Sequence, residues 1–327
     1  MNALGLLPPD LAAAAGVPEG VARRVLARLF AGGTPDDVPG VSRRDRAALA
    51  GLSWARPEVV ERVEDPESVR YLFRAADGAK FEAVRIPLEK PGAYSVCLSS
   101  QVGCAMACAF CATGKLGLTR NLTAAEIVGS FLAVRDEAPG RVTGAVFMGQ
   151  GEPFHNYDAV VQAARVLSDP CGARVDAKRI SISTVGLVPQ IRRYTREGHK
   201  FRLVVSLHSA IPEKRATLVP RVPLAELAEA LRERARATRK RQTIAWVVMA
   251  GVNTGRDEVE ALRALLGDVP MRINLVDVNG DTYARAGKAE RDAFVDALQV
   301  LRAPIVRRYS VGEASDAACG MLAAKVG

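Results

Sequence analysis

The sequence predicts an α/β protein in which strands and helices alternate six times behind a small helical module and a β-hairpin. Short strand-like runs recur between Ser95 and Val276, each followed by a stretch with apolar residues at helical spacing. Ahead of them, Gly- and Pro-rich breaks punctuate a helical pattern. Between the two regions, Asp77-Gly78 separates two β-type runs, which is a hairpin signal.

From Pro18 to about Arg62 the pattern is helical, with Val21–Phe30 placing apolar residues on one face and breaks at Gly32-Gly-Thr-Pro35 and Pro39-Gly40. Val69–Phe73 and Lys80–Ile86 are the arms of the hairpin, and Pro87 to Gly92 is a linker. The chain divides accordingly into a helical accessory module (1–62), a hairpin and linker (66–92) and a larger domain (93–327). In that domain the strand-like runs are Ser95–Ser99, Gly144–Met148, Arg179–Thr184, Arg202–Leu207, Thr243–Met249 and Arg272–Val276. The helical stretches are Thr123–Asp136, Tyr157–Leu167, Val188–Glu197, Pro223–Thr238, Asp257–Leu266 and Arg291–Leu301, which makes the order (βα)6. A further short run, Pro304–Arg308, follows. This order builds a barrel or an open sheet, and in both the functional loops lie at the carboxyl ends of the strands.

With 327 residues, 49% hydrophobic and 25% charged, the chain has ordinary globular composition and length for one large domain and a small accessory. No window is apolar enough to span a membrane, and the first twenty residues carry Asp10 and Glu19 without a basic region ahead of an apolar core, so a cytoplasmic protein is expected. A net charge of +9 favours a polyanionic partner without identifying one. Local clusters at Arg23-Arg24 with Arg28, Arg43-Arg44 with Arg46, Arg192-Arg193 with Arg196, and Arg232 to Arg241 are candidate phosphate contacts or merely solvated helix faces. Six cysteines without a secretory signal read as metal ligands where clustered and as core or reactive groups where isolated. Cys171 has no partner in sequence, and His155 and His199 read as packing or solvent residues.

Cys104, Cys108 and Cys111 stand at the spacing C-x3-C-x2-C, directly after the first strand of the large domain. No fourth cysteine or histidine follows at the distance a closed tetrahedral site needs, so three thiolates around a cubane cluster leave one iron open. With Phe110 just before the last cysteine, the motif resembles the radical S-adenosylmethionine (SAM) superfamily. The resemblance implies a partial TIM-type (β/α)6 barrel and a 4Fe-4S cluster whose open iron binds the amino acid end of SAM. Strand ends further along the chain agree: Phe147-Met-Gly-Gln-Gly-Glu-Pro153 is similar to SAM-binding loops of the Gly-Glu-Pro type, and Ser181-Ile-Ser-Thr-Val-Gly186 and Ser206-Leu-His208 follow.

Two outlying cysteines narrow the resemblance. Cys97, ahead of the cluster motif in Cys97-Leu-Ser-Ser-Gln-Val-Gly-Cys104, together with Asp316-Ala-Ala-Cys-Gly320, resembles the RlmN/Cfr family of radical SAM RNA methyltransferases over most of the chain. The resemblance implies methylation of an adenine ring carbon, carbon 2 favoured, in ribosomal RNA, with transfer RNA as a second candidate and the accessory module (1–62) as an RNA-binding one. One SAM methylates Cys319; cleavage of a second yields a radical that takes a hydrogen from that methyl group. The carbon radical then adds to the ring, Glu82 accepts the ring proton, and Cys97 resolves the protein–RNA adduct as a disulfide. Two SAM are consumed per turnover, and an electron donor such as flavodoxin or ferredoxin feeds the cluster. By the same matching Gly151, Glu152, Ser183, Ser206, Leu207, His208 and Asn279 contact SAM.

The chain departs from the family pattern in three places. Asn274-Leu-Val-Asp-Val-Asn-Gly-Asp281 lacks the family's prolines, Arg307 to Asp316 lacks its basic-Thr-Arg-Gly run, and the N-terminal module lacks its Phe-Arg-x-x-Gln and Trp signature. Two other readings stay open: a paralogue acting at adenine carbon 8 or on another heteroaromatic, and a non-catalytic iron–sulfur protein that binds RNA.

Overall fold

The computed structural model describes residues 1–219, 222–308, 312–313 and 315–323. Three helices open the chain: α1 (Pro8–Ala15), α2 (Glu19–Phe30) and α3 (Arg43–Ala50). On α2 the residues Val21, Ala22, Val25, Leu26, Leu29 and Phe30 are buried, a stripe at helical spacing whose larger members each contribute on the order of 1.5–3 kcal/mol when removed from water. Gly16, with φ +65°, ends α1, and the Ser42 hydroxyl caps α3 by accepting from the Asp45 amide. The 3-10 turn Ala3–Gly5 joins this module to the main core, where the side chain of Leu4 is wholly buried.

The helical pattern expected to reach Arg62 ends earlier. Strand β1 (Glu58–Asp65) pairs antiparallel with β2 (Ser68–Arg74), which pairs with β3 (Lys80–Pro87). A bulge between Val59 and Glu61 breaks the period-two alternation of β1, so its valines carry no clean strand signature. The hairpin is therefore a three-stranded meander, and it is continuous with the main sheet rather than a linker between domains.

The remaining elements are β4 (Ala93–Leu98), β5 (Gln101–Gly103), α4 (Ala112–Lys115), β6 (Leu118–Asn121), α5 (Ala124–Asp136), β7 (Arg141–Phe147), α6 (Tyr157–Ser168) and β8 (Ile180–Thr184). After them come α7 (Val188–Glu197), β9 (Arg202–Ser206), α8 (Pro212–Leu218), α9 (Leu224–Thr238), β10 (Gln242–Val248), α10 (Arg256–Leu266), β11 (Met271–Asp277), α11 (Lys288–Leu298) and β12 (Ile305–Arg308). The ten-stranded sheet runs β1-β2-β3-β4-β7-β8-β9-β10-β11-β12. From β4 onward neighbouring strands are parallel, and β4 is the switch, antiparallel to β3 and parallel to β7. Every strand expected in the large domain is present, and the fold is the mixed α/β one expected, with a central parallel sheet.

Side-chain alternation divides the two faces of the sheet. On β10, Ile244, Trp246 and Val248 are buried, and the Trp246 ring meets Phe294 of α11 with centroids 5.9 Å apart. The intervening Ala245 and Val247 face the concave side and line a cleft there. Small or polar residues on that face, including Ser183 and Ser206, leave room inside the partial barrel. No helix among the described residues is long and apolar enough to cross a membrane.

Candidate active site

The cluster loop, residues 104–117, is closed by the small β5–β6 hairpin, which sequence periodicity did not reveal. Gly103 enters it at φ +75°, where a Cβ would fall 2.0 Å from the Gly117 carbonyl oxygen, so only glycine fits. The Cys104 amide donates to that same oxygen at 2.7 Å. Cys104 and Cys108 are buried and Cys111 is partly so, and all three line one cleft at the carboxyl ends of the parallel strands. That cleft encloses about 990 Å3, its open mouth included. Burial pushes the Cys104 thiol up to about 11, with Glu152 and Cys111 adding to it, and raises Cys108 further, with Cys111, Cys104 and Glu152 adding there.

Opposite the cysteines stands the loop after β7. Gly151 has φ +98°, and a Cβ there would meet Gln101 Cβ at 2.6 Å and Ser100 Oγ at 2.7 Å. The Gln101 side chain accepts from the Glu152 amide at 2.8 Å, which fixes the loop to β5. Glu152 is buried, and its carboxyl accepts from the amides of Phe154 and Val185, both at 2.9 Å. Burial raises its pKa to about 7, against these hydrogen bonds, which favour the charged form. A carboxyl so poised is a natural acceptor for a cationic amino group.

Further round the cleft, the hydroxyls of Ser183 and Ser206 lie 3.2 Å apart on adjacent strands. His208 is held at φ +62° by Asn253, whose Nδ2 donates to the His208 carbonyl at 2.7 Å. Nδ1 of His208 accepts from the Val247 amide at 3.0 Å, leaving Nε2 to carry the proton. Burial, aided by the Arg215 charge, lowers the His208 pKa to about 3, so the ring is neutral at working pH. The Phe110 ring stands edge-on to it, centroids 4.8 Å apart. Leu207, expected to share this site, does not line the cleft; its side chain is wholly buried in the core because it points to the helical face of the sheet. Asn253 was not legible, since its partners are backbone groups at other strand ends.

At the C-terminal loop, Cys319 lines the cleft, and it also lines a second cavity with Cys97, Cys111, Met148 and Leu322. The loop is strapped to the cluster loop by two hydrogen bonds: Ala112 N–H to the Gly320 carbonyl at 2.7 Å, and the Thr113 hydroxyl to the Leu322 carbonyl at 2.5 Å. Cys319 is exposed, whereas burial drives the Cys97 thiol well above its ordinary pKa and the adjacent Cys319 adds to the shift. Asn279 also lines the cleft, and it donates from Nδ2 to the Cys319 carbonyl at 3.0 Å. Glu82 lies on β3 two residues before Val84, the cross-strand partner of Cys97, and so on the same face. Its carboxylate is fully buried and accepts from Arg70 Nη1 at 2.6 Å, and it lines neither cavity. In the divergent stretch from Arg307 to Asp316, residues 309–311 and 314 lie outside the described residues.

Comparison with known proteins decides the family. The radical SAM superfamily model matches residues 98–299. A probable RNA methyltransferase of Anaeromyxobacter sp. (strain Fw109-5) is 48% identical, with 99% of each chain covered. A dual-specificity RNA methyltransferase RlmN of Pelobacter propionicus is 39% identical over 87% of this chain and 82% of its own. The crystal structure of a radical SAM methyltransferase from Sphaerobacter thermophilus superposes with a TM-score of 0.90 at 36% identity, covering 99% of this chain and 100% of that one. The chain belongs to the RlmN/Cfr family of the radical SAM superfamily.

Membership in the superfamily implies a 4Fe-4S cluster and SAM, and the residues present fit both. Among the described residues no three His, Cys, Asp or Glu side chains converge on a single metal ion. A cubane distributes its thiolates over separate irons, so three thiols spread along one wall suit it better than they suit zinc. Cys104, Cys108 and Cys111 would hold the cluster. Glu152, Ser183, Ser206 and His208, all on the same cleft, would meet SAM. The basic clusters are less available than their sequence suggests: Arg192 pairs with Glu233, Arg193 with Asp158 and Glu197, and Arg232 with Asp268.

Proposed function

We propose that this protein is a radical SAM RNA methyltransferase that methylates an adenine ring carbon, carbon 2 favoured, through a methyl group carried on Cys319. Ribosomal RNA is the favoured substrate and transfer RNA the second. The observation that carries the reading is that Cys97 and Cys319, far apart in sequence, share one cavity beside Cys111 of the cluster motif. The RNA methyltransferase names of relatives that match nearly the full chain support the substrate class.

Adenine carbon 2 is an electrophilic amidine carbon, so an electrophilic methyl donor finds no nucleophile there. Cys319 supplies one: its exposed sulfur, having released its proton to solvent, bonds to the methyl carbon of a first SAM as the bond from that carbon to the sulfonium breaks and the remainder leaves as a neutral thioether. Bound together, the cluster and a second SAM supply a radical able to abstract a hydrogen atom. The Cys319 methyl carbon, having lost that hydrogen, bonds to the ring carbon. Aromaticity is restored when Glu82 accepts the ring proton and the adduct's surplus electron, which the cluster would take back, is lost. Cys97 then attacks the Cys319 sulfur, the bond from sulfur to methylene carbon breaks, that carbon takes a proton, and a disulfide remains for an external reductant. The raised pKa of buried Cys97 keeps it a thiol until it is called on, which guards against premature oxidation.

The reading is tested by Cys97→Ala. With SAM, a reductant and RNA, the variant accumulates a covalent protein–RNA adduct visible as a shifted band on a denaturing gel. Release of methylated RNA at the wild-type rate removes Cys97 from the mechanism.

A further inference from the structure

Arg215 is 1% exposed, and its guanidinium donates to neutral carbonyl oxygens. Nε donates to the Leu207 carbonyl at 3.1 Å, Nη1 to that of Val222 at 3.1 Å, and Nη2 to that of Val185 at 2.7 Å and, more weakly, Ser206 at 3.4 Å. The adjacent Lys214 pairs with Asp257 and Glu258, but among the described residues no carboxylate forms an ion pair with Arg215. An unpaired buried charge costs several kcal/mol, and carbonyl dipoles only partly offset that. Among the described residues this cation has no counter-charge.

The counter-charge belongs on the cluster loop. Helix α8, which carries Arg215, ends against that loop, where the Ala109 amide donates to the Leu218 carbonyl at 3.0 Å. Leu218 and Val219 pack in one apolar group with Cys104, Met106 and Cys108. The guanidinium bonds the carbonyls of Val185 and Ser206, two residues that line the same cleft as Cys104, Cys108 and Cys111.

We infer that Arg215 is the buried counter-cation of the cluster and holds its reduction potential up by charge. Three thiolates around the cubane make a negative ensemble that becomes one charge more negative when an electron is added. A fixed cation in a low-dielectric wall stabilises the reduced form more than the oxidised one. The inference rests on the cluster that the family implies and is independent of the methyl-cysteine reading.

The test compares wild type, Arg215→Gln and Arg215→Lys, each reconstituted with iron and sulfide, without RNA or SAM. The midpoint potential of the cluster is read by titration with mediator dyes, following the electron paramagnetic resonance signal of the reduced form. Arg215→Gln lowers the reduction equilibrium at least tenfold, a shift of about 59 mV or more to the negative for one electron, and Arg215→Lys stays within threefold of wild type. An unchanged potential in the glutamine variant, or a lysine variant shifted as far as the glutamine one, overturns the inference in favour of carbonyl bonding alone. If the glutamine variant fails to take up a cluster, the lysine variant decides: a tenfold shift there contradicts the charge role, and a potential within threefold of wild type upholds it.

Discussion

Asn279 donates to the Cys319 carbonyl at 3.0 Å, so a side chain expected to meet SAM also fixes the loop that presents the candidate methyl carrier. Arg285 buttresses the pair, donating from Nη2 to Asn279 Oδ1 at 2.8 Å and to Glu313 Oε2 at 2.9 Å. This hydrogen-bonded frame ties the Asn274–Asp281 segment to the C-terminal loop. Asn279→Ala loses a bond worth about 1 kcal/mol net, which slows methylation of Cys319 roughly fivefold. Timed peptide mass spectrometry reads the rate, and an unchanged rate contradicts the positioning role.

The wholly buried carboxylate of Glu82 accepts from the half-buried Arg70 at 2.6 Å. Removing one member of such a pair leaves its partner's charge buried, which costs about 3–5 kcal/mol. Arg70→Met therefore lowers the denaturant midpoint markedly, whereas the double variant Arg70→Met/Glu82→Gln recovers part of the loss. Equal midpoints for wild type and Arg70→Met contradict this account of the pair.

Glu152 gives SAM binding a pH dependence. Its folded pKa, about 7, lies above the ordinary 4.5, so the carboxyl is largely protonated below neutrality. If the carboxylate receives the amino group of SAM, affinity rises with pH toward a plateau above about 7 and falls up to tenfold per unit below it. The stability contribution has the opposite sign. Between 4.5 and about 7 the native state holds a proton that the unfolded state has released. That contribution is therefore fully present below 4.5 and is lost as pH rises through about 7. Calorimetric titration of SAM from pH 6 to 8 shows the slope in wild type and its absence in Glu152→Gln. A flat wild-type profile contradicts the assignment.

Gly151→Ala puts a Cβ 2.6 Å from that of Gln101 at φ +98°. Strain of about 1–3 kcal/mol follows, and the SAM loop shifts away from β5. The expected outcome is a melting temperature lower by a few degrees with SAM affinity reduced at least tenfold. Wild-type affinity in a stably folded variant contradicts the close-approach argument.

The parallel strands were legible because each is a compact β-branched run bounded by turn residues, and Val188–Glu197 matches its helix to the residue. Strand β1 was not, because its bulge hides the alternation, and the β5–β6 hairpin was not, because its short arms are separated by the whole cluster loop. Within the site, the cluster cysteines and the Gly-Glu-Pro turn are local patterns that spacing alone reveals. Asn253, Arg215 and Arg285 are illegible for the converse reason. Their bonds run mainly to backbone carbonyls or to side chains on other elements, and no local motif marks them. Leu207 was named with its motif neighbours, but strand alternation turns it away from Ser206 into the core.

The methyl group on Cys319 is the central claim, and intact-protein and peptide mass spectrometry of the reconstituted enzyme tests it most directly. After incubation with SAM and reductant, the account predicts one added methyl on the peptide containing Cys319, and none on that peptide in Cys319→Ala. An unmodified Cys319 peptide from protein that binds SAM and carries a full cluster contradicts it.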